Sequence, residues 1–473
     1  MIDFDLFRKA ASSAFNHSSQ VINSVNYLLK LPLDAVFNLH NQGFDFFNKT
    51  MSAATRKDSF EIKNISKKDK KNEISHSENF EITGEIFSEI KLNYCHNFKI
   101  DLREVNVKID KENRAKFQII INNCENFSIV GGVLEDARNI ILIANCSNFE
   151  IHGLRGYRSE GYGIIVFNSS IFKIYECYFE ENLASGIYCL GNTAYGLIEN
   201  NSFVRSRGFH NWDAGLHINH CTPDINIEAI PERSHEKKKI VEKVLKPSFL
   251  YVKNNFFSEN RAQGIYCEGC ILSSFINNII EKNNKEGVCF DWGSALNLFE
   301  DNLLSMNGKR AKLSEAEIKA DFIEDYPILP DNSSSAKLPG LSIDNGALNI
   351  LCGNKIYHNY GGGIKMVRTG IANIISSNTL IDNNIGRNEH FKNFHGIFLF
   401  ATGSGKREFV SSQVNLDLLP SELNLILSNH FYGHNRCFAV FAGPLCSNNY
   451  VASDNIYSPG SNGISENLNK NIE

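Results

Sequence analysis

The chain lacks several features that would each name a class of function. It has no excess of positive charge: 48 Lys and Arg stand against 53 Asp and Glu, a formal net charge of -5. The basic field that a nucleic-acid surface needs is therefore missing, and no nucleic-acid partner is expected. No apolar run approaches the roughly 18 residues of a spanning helix, so no transmembrane segment is expected either. The N-terminus, MIDFDLFRKAASSAF, puts acids before its first base and has no apolar stretch ahead of a small-residue cleavage site. Without a secretory signal the default location is the cytoplasm, with signal-independent export or release in a phage particle as alternatives. A second C-x-x-C pair is missing too: Cys267 and Cys270 form a lone one among 12 cysteines. With Cys177, Cys189 and Cys289 set singly inside apolar runs, reduced core thiols are expected rather than zinc or disulfides.

What the chain does have is a repeat. A Gly-apolar-x-apolar element recurs at Gly163, Gly186, Gly215, Gly264, Gly287, Gly340, Gly363 and Gly396, with steps of 23, 29, 49, 23, 53, 23 and 33. The base period is 23, interrupted by insertions. A second element follows about ten residues later as an Asn pair or near-pair before apolar residues: NNSF, NNFF, NNII, DNLL, GNKI, SNTL and SNHF. A third precedes the glycines as ENFEI, HNFKI, ENFSI, SNFEI and SIFKI, marked by Phe80, Phe98, Phe127, Phe149 and Phe172. Three short alternating segments per period read as strands between tight turns, because two helices and a loop need about 33 residues. Coils of strands must then stack about 4.8 Å apart into parallel sheets around an apolar interior. Asn suits the turns, since it tolerates the left-handed conformation and its amide can hydrogen-bond from coil to coil.

The repeats NNFFSENRAQGIYCEGC and GNKIYHNYGGGIKMVRTG resemble those of the pectin-lyase-like superfamily, over roughly residues 76 to 460. The resemblance implies an all-β, right-handed parallel β-helix, expected here to have about 12 or 13 coils, and a polysaccharide as partner. Residues 1–55 space Phe4, Phe7, Val21, Val25, Leu28 and Leu29 as a helix would, which suggests a helical cap or an oligomerisation segment, compatible with a homo-oligomer. Residues 56–75 read as a charged linker and 76–473 as the β-helix, with insertions near 205–248, 308–339 and 401–424 expected to wall a binding site.

The period also places side chains. After each repeat glycine, positions one and three are apolar and inward, so positions two and four face out. The fourth positions include Asn219, Glu268, Asp291 and Asp344, and the second include Tyr188, His217, Tyr266 and Lys365. Three acids on neighbouring coils stand close enough to raise at least one pKa, which turns like groups into an acid and a base. Glu268, Asp291 and Asp344 are thus candidates for glycoside hydrolysis, with Glu268 and Asp344 slightly preferred as an inverting pair. Asp291 is read as a solvent-facing rather than a buried acid, with Trp292 at the rim offering a face to a sugar.

A second constellation sets His217 between Tyr188 and Tyr266, with His210 and Asp213 near in sequence and Lys365 and Arg368 on later turns. That set suits a polysaccharide lyase or uronate epimerase, in which a cation neutralises the sugar carboxylate while His or Tyr moves the proton. The Asp-Pro-His signature of the epimerases and the Gly-His-Gly of polygalacturonases are absent. Two further readings stand beside these: Ca²⁺ held by the acid column, the one cofactor expected if there is any, and a non-catalytic glycan-binding or structural β-helix of the adhesin or tailspike type.

Overall fold

The computed structural model describes residue 42 and residues 61–64, 71–83, 89–109, 115–207, 213–221, 245–309, 338–367, 370–385, 395–400, 421–433 and most of 438–468. The segment assigned to an N-terminal helix, the bulk of the three insertions, His210 and Arg368 lie outside the described residues.

Strands such as Glu78–Thr83, Glu89–Asn93 and Ser147–His152 alternate between core-facing and outward side chains, and each strand pairs in parallel with its counterpart one coil away. The result is three long sheets of 14, 13 and 12 strands. The first runs from Glu61–Asn64 to Tyr450–Val451, the second from Lys71–Ser75 to Val440–Ala442, and the third from Asn106–Lys108 to Ile456–Tyr457. This is the right-handed parallel β-helix that the repeats imply. The glycine-led segments form the second sheet, and the Phe-marked segments form the first. Among the described residues no helix is long and apolar enough to cross a membrane.

The interior explains the repeats. Phe80, Phe98, Phe127, Phe149 and Phe172 stack ring on ring at 4.8–5.2 Å. The stack ends where Gly196 replaces the next Phe, because a Cβ there would lie 2.1 Å from the Phe172 ring. Each Asn pair splits into two roles. Asn200, Asn254 and Asn277 take positive φ in the turn, whereas Asn201, Asn255 and Asn278 are buried beside them. The buried amides form ladders: Asn278 donates to Asn302 Oδ1 at 2.9 Å and to the Val252 carbonyl at 2.9 Å. Similar ladders run through Asn283, Asn307 and Asn359 and through Asn297, Asn349 and Asn373. A lost link would strand buried donors and acceptors at about 1–3 kcal/mol each. In the early coils thiols take the same part, with the Cys95 and Cys124 N–H groups pointing at the Sγ of Cys124 and Cys146, 3.3 and 3.4 Å away. The eleven described cysteines are all free thiols.

One boundary is corrected. The stretch assigned to a charged linker contains strands Glu61–Asn64 and Lys71–Ser75, which pair with Glu78–Thr83 and Glu89–Asn93. Charged residues there alternate with single isoleucines, and Ile74 packs on the core. In Lys71–Ser75 one core-packed isoleucine suffices because the neighbouring coil completes the sheet, so high charge did not mean loop.

Candidate functional site

The register of the second sheet aligns the outward residues in two columns. Tyr188, His217, Tyr266, Cys289, Ser342 and Lys365 succeed one another at one position. Two residues along each strand, the second column runs through Asn219, Glu268, Asp291, Asp344 and Val367. The inward positions of the same strands, such as Ile265, Cys267, Val288 and Phe290, belong to the main core.

The outward face is not open to water, and this corrects the reading of Asp291. Glu268 and Asp291 keep 8% and 7% of their surface, His217 4% and Tyr266 3%. Side-chain direction was legible from alternation, but burial was not, since parallel sheets are commonly covered on both faces. Asp344, Asn219, Lys365 and Trp292 are partly exposed.

The Tyr266 hydroxyl joins the acids. It lies 3.0 Å from Glu268 Oε1 and 3.1 Å from Asp291 Oδ2, so those oxygens are no more than about 6 Å apart. A phenol supplies one hydrogen. Both contacts are attractive hydrogen bonds only when one carboxyl brings a second, which makes the trio a natural home for a shared proton. Burial first, and then the charges of Glu268 and Asp291, push the Tyr266 phenol well above its ordinary pKa. It acts as a neutral donor, not a phenolate. Asp291 Oδ1 also accepts the Trp292 N–H at 2.8 Å, a bond that favours an ionised carboxylate.

Around the trio, rings stack along the column: Tyr162 on Tyr188 at 5.1 Å, Tyr188 on His217 at 4.6 Å, and His217 tilted against Tyr266 at 5.2 Å. These rings turn their faces to one another, so they offer a ligand edges and hydroxyls rather than stacking surfaces. Asn219 donates to the Tyr188 hydroxyl at 3.1 Å, and the Tyr162 hydroxyl lies 3.4 Å from Asp213. Burial raises the Tyr162 and Tyr188 phenols as well.

Trp292 occupies the turn that leaves the second sheet, with φ of 52°. Asn145, Asn168, Gly269 and Asn345 fill that turn on other coils. Tyr94 takes it on an early coil, and Tyr195 and Phe249 sit at positive φ in other turns, so the conformation does not by itself single out Trp292. Its ring lies 6.3 Å from that of His220. Beyond His220, Cys221 and Leu245 pair antiparallel and close the neck of the excursion between them. Sequence reasoning missed Tyr162, which precedes its repeat glycine and so falls outside both outward positions. It also missed Lys246, which ends a charge run yet reaches the turn at Gly293; burial lowers its pKa.

Residues 233–393, about a third of the chain, match the model of the periplasmic copper-binding protein (NosD) family. Among the described residues no three His, Cys, Asp or Glu side chains gather around a point as a metal would require. The three acids stand in line. No curated protein matches the chain. Among solved structures it is similar to a double mutant of the periplasmic alginate epimerase AlgG, at 12% identity over 80% of this chain and 77% of that one, with a TM-score of 0.48. The A-module of the Azotobacter vinelandii mannuronan C-5 epimerase AlgE4 is 10% identical over 78% and 90%, at 0.47. Tailspike protein 3 of bacteriophage CBA120 is 11% identical over 89% and 59%, at 0.43. These likenesses add no residue-level correspondence; the fold rests on the strand register.

Proposed function

We propose that the protein is a carbohydrate-active enzyme that hydrolyses glycosidic bonds, with Glu268 as the proton donor and Asp291 as the carboxylate that attacks. The observation that carries this reading is the Tyr266 hydroxyl within hydrogen-bond reach of both acids. The carbohydrate class comes from the superfamily that the repeats resemble.

The separation of the carboxyl oxygens, no more than about 6 Å, supports retention, for which about 5–5.5 Å is typical, over inversion at about 6.5–9.5 Å. Glu268 protonates the glycosidic oxygen as the bond to the anomeric carbon breaks, and Asp291 forms an ester to that carbon. Glu268, now a carboxylate, then takes a proton from water, whose oxygen displaces Asp291 and restores both groups. Tyr266 holds the shared proton between turnovers, and Asp344 on the next coil adds negative charge that favours the protonated acid. Trp292 provides the aromatic rim, with Lys365 and Asn219 as polar contacts for sugar hydroxyls.

A second reading, β-elimination or epimerisation of a uronic acid, is favoured by one observation: the His217 ring sits between those of Tyr188 and Tyr266. Incubation with neutral and acidic polysaccharides in D₂O separates the readings. Hydrolysis gives new reducing ends, no near-ultraviolet absorbance and no deuterium at C5. Unsaturated products would establish the lyase, deuterium at C5 the epimerase, and binding without any product the non-catalytic adhesin.

A further inference from the structure

We infer that the site receives a chain end or a short oligosaccharide rather than the middle of a long polymer lying along the solenoid. The inference rests on reading this face as a glycan site, and it concerns where that face begins and ends.

The outward columns of the second sheet change character twice. On the three coils before Asn219 the outward residues are Leu142, Ala144, Ile165, Phe167, Tyr188 and Leu190, all of them buried. They form an apolar cluster separate from the interior core. Apolar side chains that point away from the core and see no water are packed under other groups and offer a sugar no hydrogen bond, whereas the similarly shielded Tyr266, Glu268 and Asp291 present polar atoms. On the far side the columns turn apolar again, at Val367 on the coil of Lys365 and at Phe398 on the next. Between these walls lie the polar positions of five strands, Leu216–Asn219, Ile265–Glu268, Val288–Asp291, Leu341–Asp344 and Ile364–Val367. Four coil spacings give about 19 Å, room for about four sugar rings in line. Between the walls Asn219, Trp292, Asp344 and Lys365 are partly exposed, and exposure returns in the same columns only beyond them, at Ile120 and Asn122 on one side and at Phe441 on the other.

A polymer laid along the axis would have to displace buried apolar side chains at both walls. A chain end needs to displace neither, and it brings its terminal linkage to Glu268 and Asp291, which lie one and two coils from the Leu190 side of the floor.

The test uses the full chain with reducing-end-labelled oligosaccharides of two to eight units, drawn from gluco-, manno-, fructo- and galacturono-series, together with their parent polymers. On any series that is cleaved, the inference expects products of one or two units from the first time points. It also expects kcat/KM to rise to about four units and then level off, with little loss of polymer viscosity. Internal fragments with a rapid fall in viscosity would overturn it while leaving the hydrolase reading intact. If nothing is cleaved, that reading falls and binding decides. Affinity that plateaus at about four units supports the inference; affinity that climbs through eight, or no binding of any member, overturns it.

Discussion

Two ladders of ionisable side chains climb this solenoid, and they differ in sign. At the turn leaving the third sheet the stacked residues are Asp136, Arg158, Glu181, Arg205, Glu259 and Lys282, all at positive φ. Acid and base alternate, and the ion pairs follow: Arg158 to Asp136 at 3.1 Å, and Arg205 to Glu181 at 3.5 Å and to Glu259 at 4.0 Å. On the outer face of the second sheet the stack reads Glu268, Asp291, Asp344, three acids in register. Apart from Asp136, which is buried, the first ladder sits at the surface, and it is what stability alone would choose. The second places like charges on adjacent coils and buries two of them, which stability alone would remove. A fold that can alternate charges and does not do so here points to chemistry at the second ladder.

The comparison breaks first at activity. Glu268→Gln and Asp291→Asn should each lower turnover by about 10²–10⁴-fold. Unfolding in urea should show no loss of stability, because each change leaves the single negative charge of the proton-sharing pair and replaces a carboxyl by an amide of the same shape. A loss of stability with turnover intact would make the column structural.

The polar ladder of the interior should respond in the opposite way. Asn302→Ala removes the acceptor of Asn278 and the donor to the Phe275 carbonyl, and should cost about 2–4 kcal/mol in urea unfolding without touching the acid pair. An effect below about 0.5 kcal/mol would mean that the ladder is replaceable by water.

The phenols of the second face supply a pH signature. Tyr162, Tyr188 and Tyr266 are all raised by burial. Their contribution is therefore complete below the unfolded value near 10 and is lost as pH rises beyond it, by about 1.4 kcal/mol per pH unit for each phenol. Buried thiols such as Cys177, pushed up to about 12, begin the same loss near pH 9. Tyr266→Phe should shallow the decline above pH 10, as read from unfolding midpoints. An unchanged slope would show that Tyr266 ionises freely.

The smallest effect lies on the outer ladder. Arg205→Glu makes three consecutive acids of Glu181, position 205 and Glu259, an exposed copy of the acid stack on the second sheet. It should destabilise by about 1 kcal/mol at low salt and much less at high salt. A larger, salt-independent loss would mean that the turn geometry matters more than the charge.

Most of the architecture was legible in the sequence because a 23-residue period, Gly-led strands and Asn pairs leave few ways to wind. The columns holding Glu268, Asp291 and Asp344 followed from strand alternation. Three things did not follow. Burial of Glu268 and Asp291 depends on what covers the sheet, which alternation does not report. The Tyr266 bridge depends on rotamers reaching from one coil to the next. The split of each Asn pair, with Asn277 in the turn and Asn278 in the ladder, depends on which residue takes positive φ, and two identical letters cannot say.

The central claim is that Glu268 and Asp291 share one proton through Tyr266 at neutral pH. Infrared difference spectra of the unmodified protein against Glu268→Gln and Asp291→Asn at pH 7 test it directly. The account predicts a protonated-carboxyl band in the unmodified protein that vanishes in at least one variant and shifts in Tyr266→Phe. Only ionised-carboxylate bands in the unmodified protein would contradict it.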